Sequence, residues 1–472
     1  MVQQCDFLII GSGPAGQKAA IQGAKAGRSV ILVEREPEVG GMCVHKGTIP
    51  SKALREAALR LQNARKVLWV SQQVELQPLM AKVGDVIAGH NQYIREQLER
   101  NDIRCLRGNA RFVSSQRVEV TQPGGEIQNI QAGVVFIATG SIPRHPAQID
   151  IDHEHVLDSD SILAMNYLPE SMIVMGGGVI ACEYASVFSA LGCKVTMVDR
   201  FERPLGFLDD EMASRFVQAF ELGGGQFLGK CQVESAAFEG VSGVEVKLED
   251  GRVLKAEKML VAQGRVSNLK GLNIAATDVS VSDMGLVSVD SDFLTTDSRI
   301  YAIGDVIGPP SLASAAMEQG RWAASHALDL PRAEAQVCIP MGIYAIPEVS
   351  SVGLTEREAV SQHGTPTVGY AEFKEVARGL ISGHEQGMLK MIADPMGNKL
   401  LGVHIIGEGA TELIHLGQMA LINDMSIETF IDQIFNFPTL AEAYRVAALQ
   451  IRGHLQAARE QGAHSAMPGA RH

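Results

Sequence analysis

Two glycine-rich hexads, Gly11-Ser12-Gly13-Pro14-Ala15-Gly16 and Gly176-Gly177-Gly178-Val179-Ile180-Ala181, carry the most specific chemistry in this chain. It is phosphate chemistry. In each hexad the first glycine (Gly11, Gly176) permits a tight turn and the second (Gly13, Gly178) lets a pyrophosphate approach the backbone. The third small residue (Gly16, Ala181) lets helix and strand pack closely. The phosphates then meet a helix N-terminus, where unpaired N–H groups and the helix dipole favour negative charge. A carboxylate follows each hexad by about 20 residues. Glu34 suits the hydroxyls of an adenosine ribose, and Asp199 suits a nucleotide 2′-hydroxyl while repelling a 2′-phosphate. Arg200 and Arg203 lie just beyond Asp199. They read either as a clamp for that phosphate, since guanidinium matches it in bidentate fashion, or as a solvated pair of loop charges.

Apolar strands must present these turns. Phe7-Leu8-Ile9-Ile10 leads into the first hexad and Ile173-Val174-Met175 into the second. Helix-compatible stretches follow, and Ser29 to Glu34 and Lys194 to Asp199 form the strands that end in the carboxylates. The offset is 165 residues for the hexads, for Gly27 against Gly192, for Val30 against Val195 and for Glu34 against Asp199, so the register is shared throughout. Two dinucleotide sites in one chain imply electron transfer between a bound flavin and a diffusing nicotinamide, because neither carrier alone needs a second Rossmann unit. The first copy is expected to hold FAD. Val134 to Gly140 and Ile300 to Asp305 read as further buried strands ending in turns. From about residue 341 the pattern changes: Met388 to Ile392 and Leu400 to Ile406 alternate like antiparallel strands, with helices around 409 to 422 and 440 to 455. The fold class is α/β, with two Rossmann-type dinucleotide-binding domains and an α+β C-terminal domain.

The 472-residue length suits two to four domains. A net charge of −13 with acidic and basic residues intermixed gives no footprint for nucleic acid or an anionic membrane, so the expected partners are small molecules. No apolar run approaches a membrane span, and no signal peptide is expected ahead of the first strand. Seven scattered cysteines (5, 43, 105, 182, 193, 231 and 338) without a CxxC argue for reduced thiols and a cytoplasmic setting.

With these motifs the sequence resembles the pyridine nucleotide-disulfide oxidoreductases. The resemblance rests on Gly11 to Gly16, Gly40-Gly41-Met42-Cys43, Pro50-Ser51-Lys52, Ala138-Thr139-Gly140, Gly176 to Glu183 and Tyr301 to Asp305, and covers nearly the whole chain. It implies an FAD-binding domain (1–146), an NAD(P)-binding domain (147–272), a central part returning to the FAD (273–340), an interface domain that makes a homodimer (341–456), and a flexible tail (457–472). A higher homo-oligomer is compatible with it. For FAD the resemblance implies contacts from Gly11, Gly13, Pro14, Ala15, Gly16, Glu34, Arg35, Gly41, Met42, Cys43, Lys52, Ala110, Thr139, Gly140, Gly304, Asp305 and Ala313. For NAD(P) it implies Gly176, Gly178, Val179, Ile180, Glu183, Asp199, Arg200, Arg203 and Gly264.

The resemblance breaks where that family does its disulfide chemistry. There the segment after Gly-Gly carries two cysteines four residues apart, but here it reads Cys43-Val44-His45-Lys46-Gly47-Thr48. A threonine hydroxyl can neither form the disulfide nor give a thiolate-to-flavin charge transfer. Near the C-terminus the family's His-Pro-Thr, whose histidine serves the departing thiol, is replaced by Phe437-Pro438-Thr439, and phenylalanine has no proton to exchange. Both losses occur together in the soluble, Si-specific pyridine nucleotide transhydrogenase branch, which the long segments Cys43 to Arg55, Phe207 to Met212, Gly304 to Gly308, Pro310 to Ala316 and Pro438 to Arg445 also resemble.

That branch implies reversible NADPH + NAD+ = NADP+ + NADH as two half-reactions through FAD, with NAD(H) and NADP(H) as substrates. Lys52 is expected near flavin N5 and paired with Glu183, favouring the anionic reduced ring. Asp305 is expected on the ribitol chain. Thr48 occupies the lost cysteine's place, Cys43 is either a packing remnant or a redox thiol, and His45 either reaches the ring edge or makes a structural hydrogen bond. Glu412-Leu413-Ile414-His415 has the spacing of a helical metal half-site, but no second copy accompanies it and no metal is expected. The rival readings are an NAD(P)H diaphorase delivering electrons to a quinone and a non-catalytic subunit of a larger complex.

Overall fold

A computed structural model describes residues 2–68, 75–240, 243–331 and 338–465. The chain packs as two compact units. Met1–Ala57, Gln73–Leu168 and Leu260–Glu334 form the first, and Ala58–Gln72, Pro169–Met259 and Ala335–His472 the second.

The first unit is built on a seven-stranded sheet. Strands Arg104–Arg107, Val30–Glu34, Val2–Ile10 and Ile127–Ile137 lie parallel in that order, and Ile300–Ala302 adds to Ile127–Ile137 in the same sense. Leu8, Ile10, Ile31 and Val33 enter the core on one face, and Phe7, Ile9, Val30 and Leu32 on the other. Both faces are covered, which is why these strands read as continuous apolar runs rather than as alternation. The register pairs Ile10 with Val33 and with Ile137, and Ile137 with Ala302. The strands therefore end level, and Gly11, Glu34, Ala138 and Gly304 meet along one edge. Helix Pro14–Lys25 rises from that edge and packs on helix Ala313–His326. The approach is close: a side chain at Gly320 would run into the Ala15 backbone.

The second unit repeats the plan with parallel strands Ser171–Met175, Lys194–Val198 and Gln226–Leu228, and helices Val179–Leu191 and Asp210–Leu222. An antiparallel three-stranded sheet, Val233–Phe238, Val244–Leu248 and Val253–Ala256, follows. The C-terminal part is a five-stranded antiparallel sheet in the order Met341–Ile343, Val349–Gly353, Leu400–Ile406, Met388–Ala393 and Thr367–Glu372, with helices Ala410–Ile422 and Glu442–Ser465 packed on it. Tyr444 joins these two helices. Its hydroxyl donates to the Leu413 carbonyl at 2.8 Å and accepts the Gly417 N–H at 3.1 Å. Helix Glu442–Ser465 runs past Ala457, where the apolar pattern stops, and residues 466–472 lie outside the described residues.

The strands Met388–Ala393 and Leu400–Ile406 differ from their expected half-buried form, because every residue in both is buried. Lys390 looks like a solvent-facing position in sequence, yet its side chain is 2% exposed. Helix Asp210–Leu222 covers that face against strand Leu400–Ile406. The ammonium is compensated by Asp209 at 2.8 Å and Glu356 at 2.6 Å. Burial alone would push the Asp209 carboxyl up, but the hydrogen bond and charge of Lys390 leave it below the usual carboxylate range. Burial likewise opposes the Lys390 charge, and the same partners raise its pKa. His404, opposite Lys390 in the sheet, is held below its usual pKa by burial and donates from Nε2 to the Leu354 carbonyl at 3.0 Å.

Removing one partner of a buried pair strands the other, so Lys390→Ala should cost about 3–5 kcal/mol. A lowered Asp209 pKa means its contribution is complete above the unfolded value of about 3.9 and is lost as pH falls through the lower folded value. The gap in thermal midpoint between the wild type and Asp209→Asn should therefore hold through neutral pH and close in acid. A gap independent of pH would contradict the charge pairing.

Candidate functional site

The first glycine turn is fixed by sterics. Gly11 has φ +107°, and a Cβ there would strike the Ala138 carbonyl. Ser12 ties the turn to its surroundings: its N–H and hydroxyl donate to Glu34 Oε2 at 3.0 and 2.5 Å, and its Oγ accepts the Gly40 N–H at 2.9 Å. Nothing in the motif logic marks Ser12, which occupies a variable position of the hexad. Gly13 begins helix Pro14–Lys25 with no side-chain cap, and the space where its side chain would stand is open to 4 Å. Beside it, Gly41 approaches so closely that a Cβ would lie 2.8 Å from Gly13 Cα.

Thr139 Oγ1 is buried without a hydrogen-bond partner. An open backbone cradle, uncapped helix N–H groups and an orphaned hydroxyl at one strand edge fit the phosphate and sugar portions of FAD. Asp305 Oδ2 accepts the Ser141 hydroxyl at 2.8 Å, and Arg265 holds that serine through both its Oγ and its carbonyl at 2.8 Å. Gln319 caps the Gly304 N–H at 2.8 Å. Ser141, Arg265 and Gln319 carry no local motif, so only the fold reveals them. Of the other residues expected on FAD, Gly140 adjoins Thr139, Ala313 starts its helix, Ala110 packs against the sheet core, and Arg35 is exposed beside Glu36.

Helix Gly41–His45 carries Met42 and Cys43, and Thr48 opens the next helix. Thr48 neighbours the Cys43 thiol and favours its charged form. Burial pushes that thiol up, and neither the Thr48 side chain nor the nearby Lys52 ammonium offsets it, with Asp305 adding to the rise. Cys43 is therefore a thiol at neutral pH, the opposite of what a redox nucleophile needs. His45 Nε2 meets the Val39 carbonyl at 2.8 Å, the structural hydrogen bond of its two readings. Lys52 Nζ lies 3.4 Å from Ser51 Oγ.

In the second unit, Gly176 has φ +123°, and Gly178 begins helix Val179–Leu191 without a side-chain cap and with open space at its Cβ. Val179 and Ile180 form its half-buried first turn. Asp199 packs its carboxylate against Gly177, where no side chain would fit, and receives the Phe201 N–H at 3.4 Å. Burial raises its pKa, against the local N–H groups and Arg200. Arg200 lies over the Phe201 ring at 4.7 Å, and Arg203 pairs with Asp210 at 3.3 Å. Glu183 is buried on its helix and accepts the Tyr344 N–H at 2.9 Å. Its expected partner Lys52 belongs to the first unit, as does Gly264, at φ +94° with its carbonyl accepting Arg144 N–H. Phe437 is 70% exposed. Among the described residues no cluster could hold a metal ion, and His415 pairs with Gln418. All seven cysteines are free; Cys5, Cys182, Cys193 and Cys231 are buried, whereas Cys105 is exposed.

Two strand–glycine–helix cradles, each followed by a carboxylate, with no disulfide among the free cysteines, define an oxidoreductase of the two-dinucleotide class. The chain belongs to the pyridine nucleotide-disulphide oxidoreductase family: the family model matches residues 5–320, and that of its dimerisation domain residues 339–448. A protein of Mycobacterium bovis named soluble pyridine nucleotide transhydrogenase is 41% identical over 464 residues, 97% of this chain and 99% of its own. One of the same name from Colwellia psychrerythraea is 40% identical, covering 94% and 97%. Among solved structures, LpdA of Mycobacterium tuberculosis superposes with a TM-score of 0.87 at 25% identity, over 95% of this chain and all of that one. The HOCl-induced flavoprotein disulfide reductase RclA of Escherichia coli gives 0.86 at 25%, over 94% and 99%.

Because a Cβ at Gly13 or Gly178 meets no protein atom within 4 Å, Gly13→Val and Gly178→Val should both fold while crowding the expected phosphate positions. The first should purify without FAD. The second should keep FAD and bind both nicotinamide nucleotides poorly. FAD retained by Gly13→Val, with circular dichroism confirming the fold, would refute the cradle.

Proposed function

We propose that this chain is an FAD-dependent NAD(P)+ transhydrogenase catalysing NADPH + NAD+ = NADP+ + NADH reversibly, without a redox disulfide. The observation that carries this reading is its full-length kinship with proteins of that name. Cys43 supports it, being a free, burial-raised thiol with Thr48 where a disulfide partner would stand. FAD, when bound, supplies a ring that takes hydride from one nicotinamide and returns it to another. Gly11, Gly13, Thr139, Glu34 and Asp305 are its proposed holders, and Lys52 sets a fixed positive charge toward the ring.

The second cradle receives one nucleotide at a time. Asp199 favours the 2′-hydroxyl of NAD(H), and Arg200 and Arg203 accept the 2′-phosphate of NADP(H). The dimerisation-domain match over residues 339–448 supports a homodimer. Among the described residues no helix is long and apolar enough to cross a membrane. Seven free thiols support a cytoplasmic setting, and the dispersed negative charge speaks against nucleic acid.

Initial rates with varied NADPH and NAD+ should give the parallel double-reciprocal lines of a ping-pong scheme. Lys52→Met should retain FAD and slow turnover in both directions. Turnover with a quinone but none with NAD+ would overturn the assignment in favour of a diaphorase.

A further inference from the structure

The loop that follows Asp199 is pinned at both ends. At its start the Asp199 carboxylate sits against Gly177, and midway the Leu205 N–H donates to the Gly177 carbonyl at 2.7 Å. At its far end Asp209 caps helix Asp210–Leu222 through the Glu211 N–H at 3.2 Å and is buried against Lys390. Between these anchors Arg203 reaches across the loop to Asp210. Its Nη2 lies 3.3 Å from Asp210 Oδ1, and its Nη1 donates to the Asp210 carbonyl at 3.5 Å. The same carboxylate oxygen also receives Arg357 Nη2 at 2.7 Å. Both arginines and the aspartate are substantially exposed, so these contacts can exchange.

We infer that Asp210 is a specificity-determining residue: it holds the Arg203 guanidinium as an internal stand-in for the nucleotide 2′-phosphate, and Arg357 sets how firmly it holds. An NADP(H) 2′-phosphate must draw Arg203 away from Asp210, while NAD(H) leaves that pair in place. The cost falls on one nucleotide only. Arg357 lowers it by keeping Asp210 compensated once Arg203 has moved. This is a positioning role, exerted through Arg203, and it rests on the proposal that Arg203 accepts the 2′-phosphate. A single carboxylate shared by two guanidiniums thus lets one site take both nucleotides without strong commitment to either.

The test compares KM for NADPH and for NADH in the FAD-loaded enzyme across four variants. Asp210→Asn should lower KM for NADPH relative to NADH by roughly two- to fivefold, the scale of an exposed ion pair. Arg357→Ala should move the same ratio in the opposite direction. Arg203→Ala should raise KM for NADPH, and in the double variant Arg203→Ala/Asp210→Asn the effect of Asp210→Asn should vanish. A general loosening of the loop would shift both nucleotides together or alter kcat, and would contradict the inference. If Arg203→Ala leaves NADPH unaffected, the clamp itself is wrong. If Arg203→Ala acts as expected while Asp210→Asn leaves the ratio unchanged, only the role of Asp210 falls.

Discussion

A pyrophosphate can be held by backbone N–H groups only where no side chain stands between them and the anion, and this chain meets that condition twice. At Gly13 and Gly178 the Cβ positions are open, and the helices that begin there have no side-chain cap to compete for their N–H groups. Everything around the cradles serves to keep them so. Parallel strands buried on both faces end at one level, and Gly11 and Gly176 turn the chain with backbone angles that other residues adopt only at a cost. Serine hydroxyls such as Ser12 and Ser141 then tie neighbouring segments to the rim.

The chemistry that separates this chain from disulfide-reducing members of its family turns on two positions, Thr48 and Phe437. Where a second sulfur would complete a redox pair with Cys43, Thr48 presents a hydroxyl. Burial then holds the Cys43 thiol protonated. With no disulfide to carry electrons onward, the carriers left are the dinucleotides themselves. In the second unit the loop proposed to meet either nucleotide is anchored by the buried Lys390–Asp209 pair at the head of its helix.

Much of this was legible in the sequence because the determining features are local. The two hexads, the 165-residue register and the carboxylates Glu34 and Asp199 are short-range patterns, and the strands and helices fall where they predict. What the sequence hid depends on distant partners. Lys390 breaks the apolar run of Met388–Ala393 as a solvent-facing residue would, and only packing against Asp209 and Glu356, remote in sequence, explains its burial. Ser141, Arg265 and Gln319 support the first site from separate segments and follow no motif. Asp210 reads as an ordinary helix-start acid until Arg203 and Arg357 converge on it.

In the proposed reaction, hydride passes between nicotinamides through FAD alone. Anaerobic addition of NADPH to the purified flavoprotein, followed by NAD+, tests it most directly when the flavin spectrum is followed. The oxidised-flavin absorbance should be lost with no long-wavelength thiolate–flavin band, and should recover fully on NAD+. Appearance of that band, or a flavin that NAD+ cannot reoxidise, would contradict it.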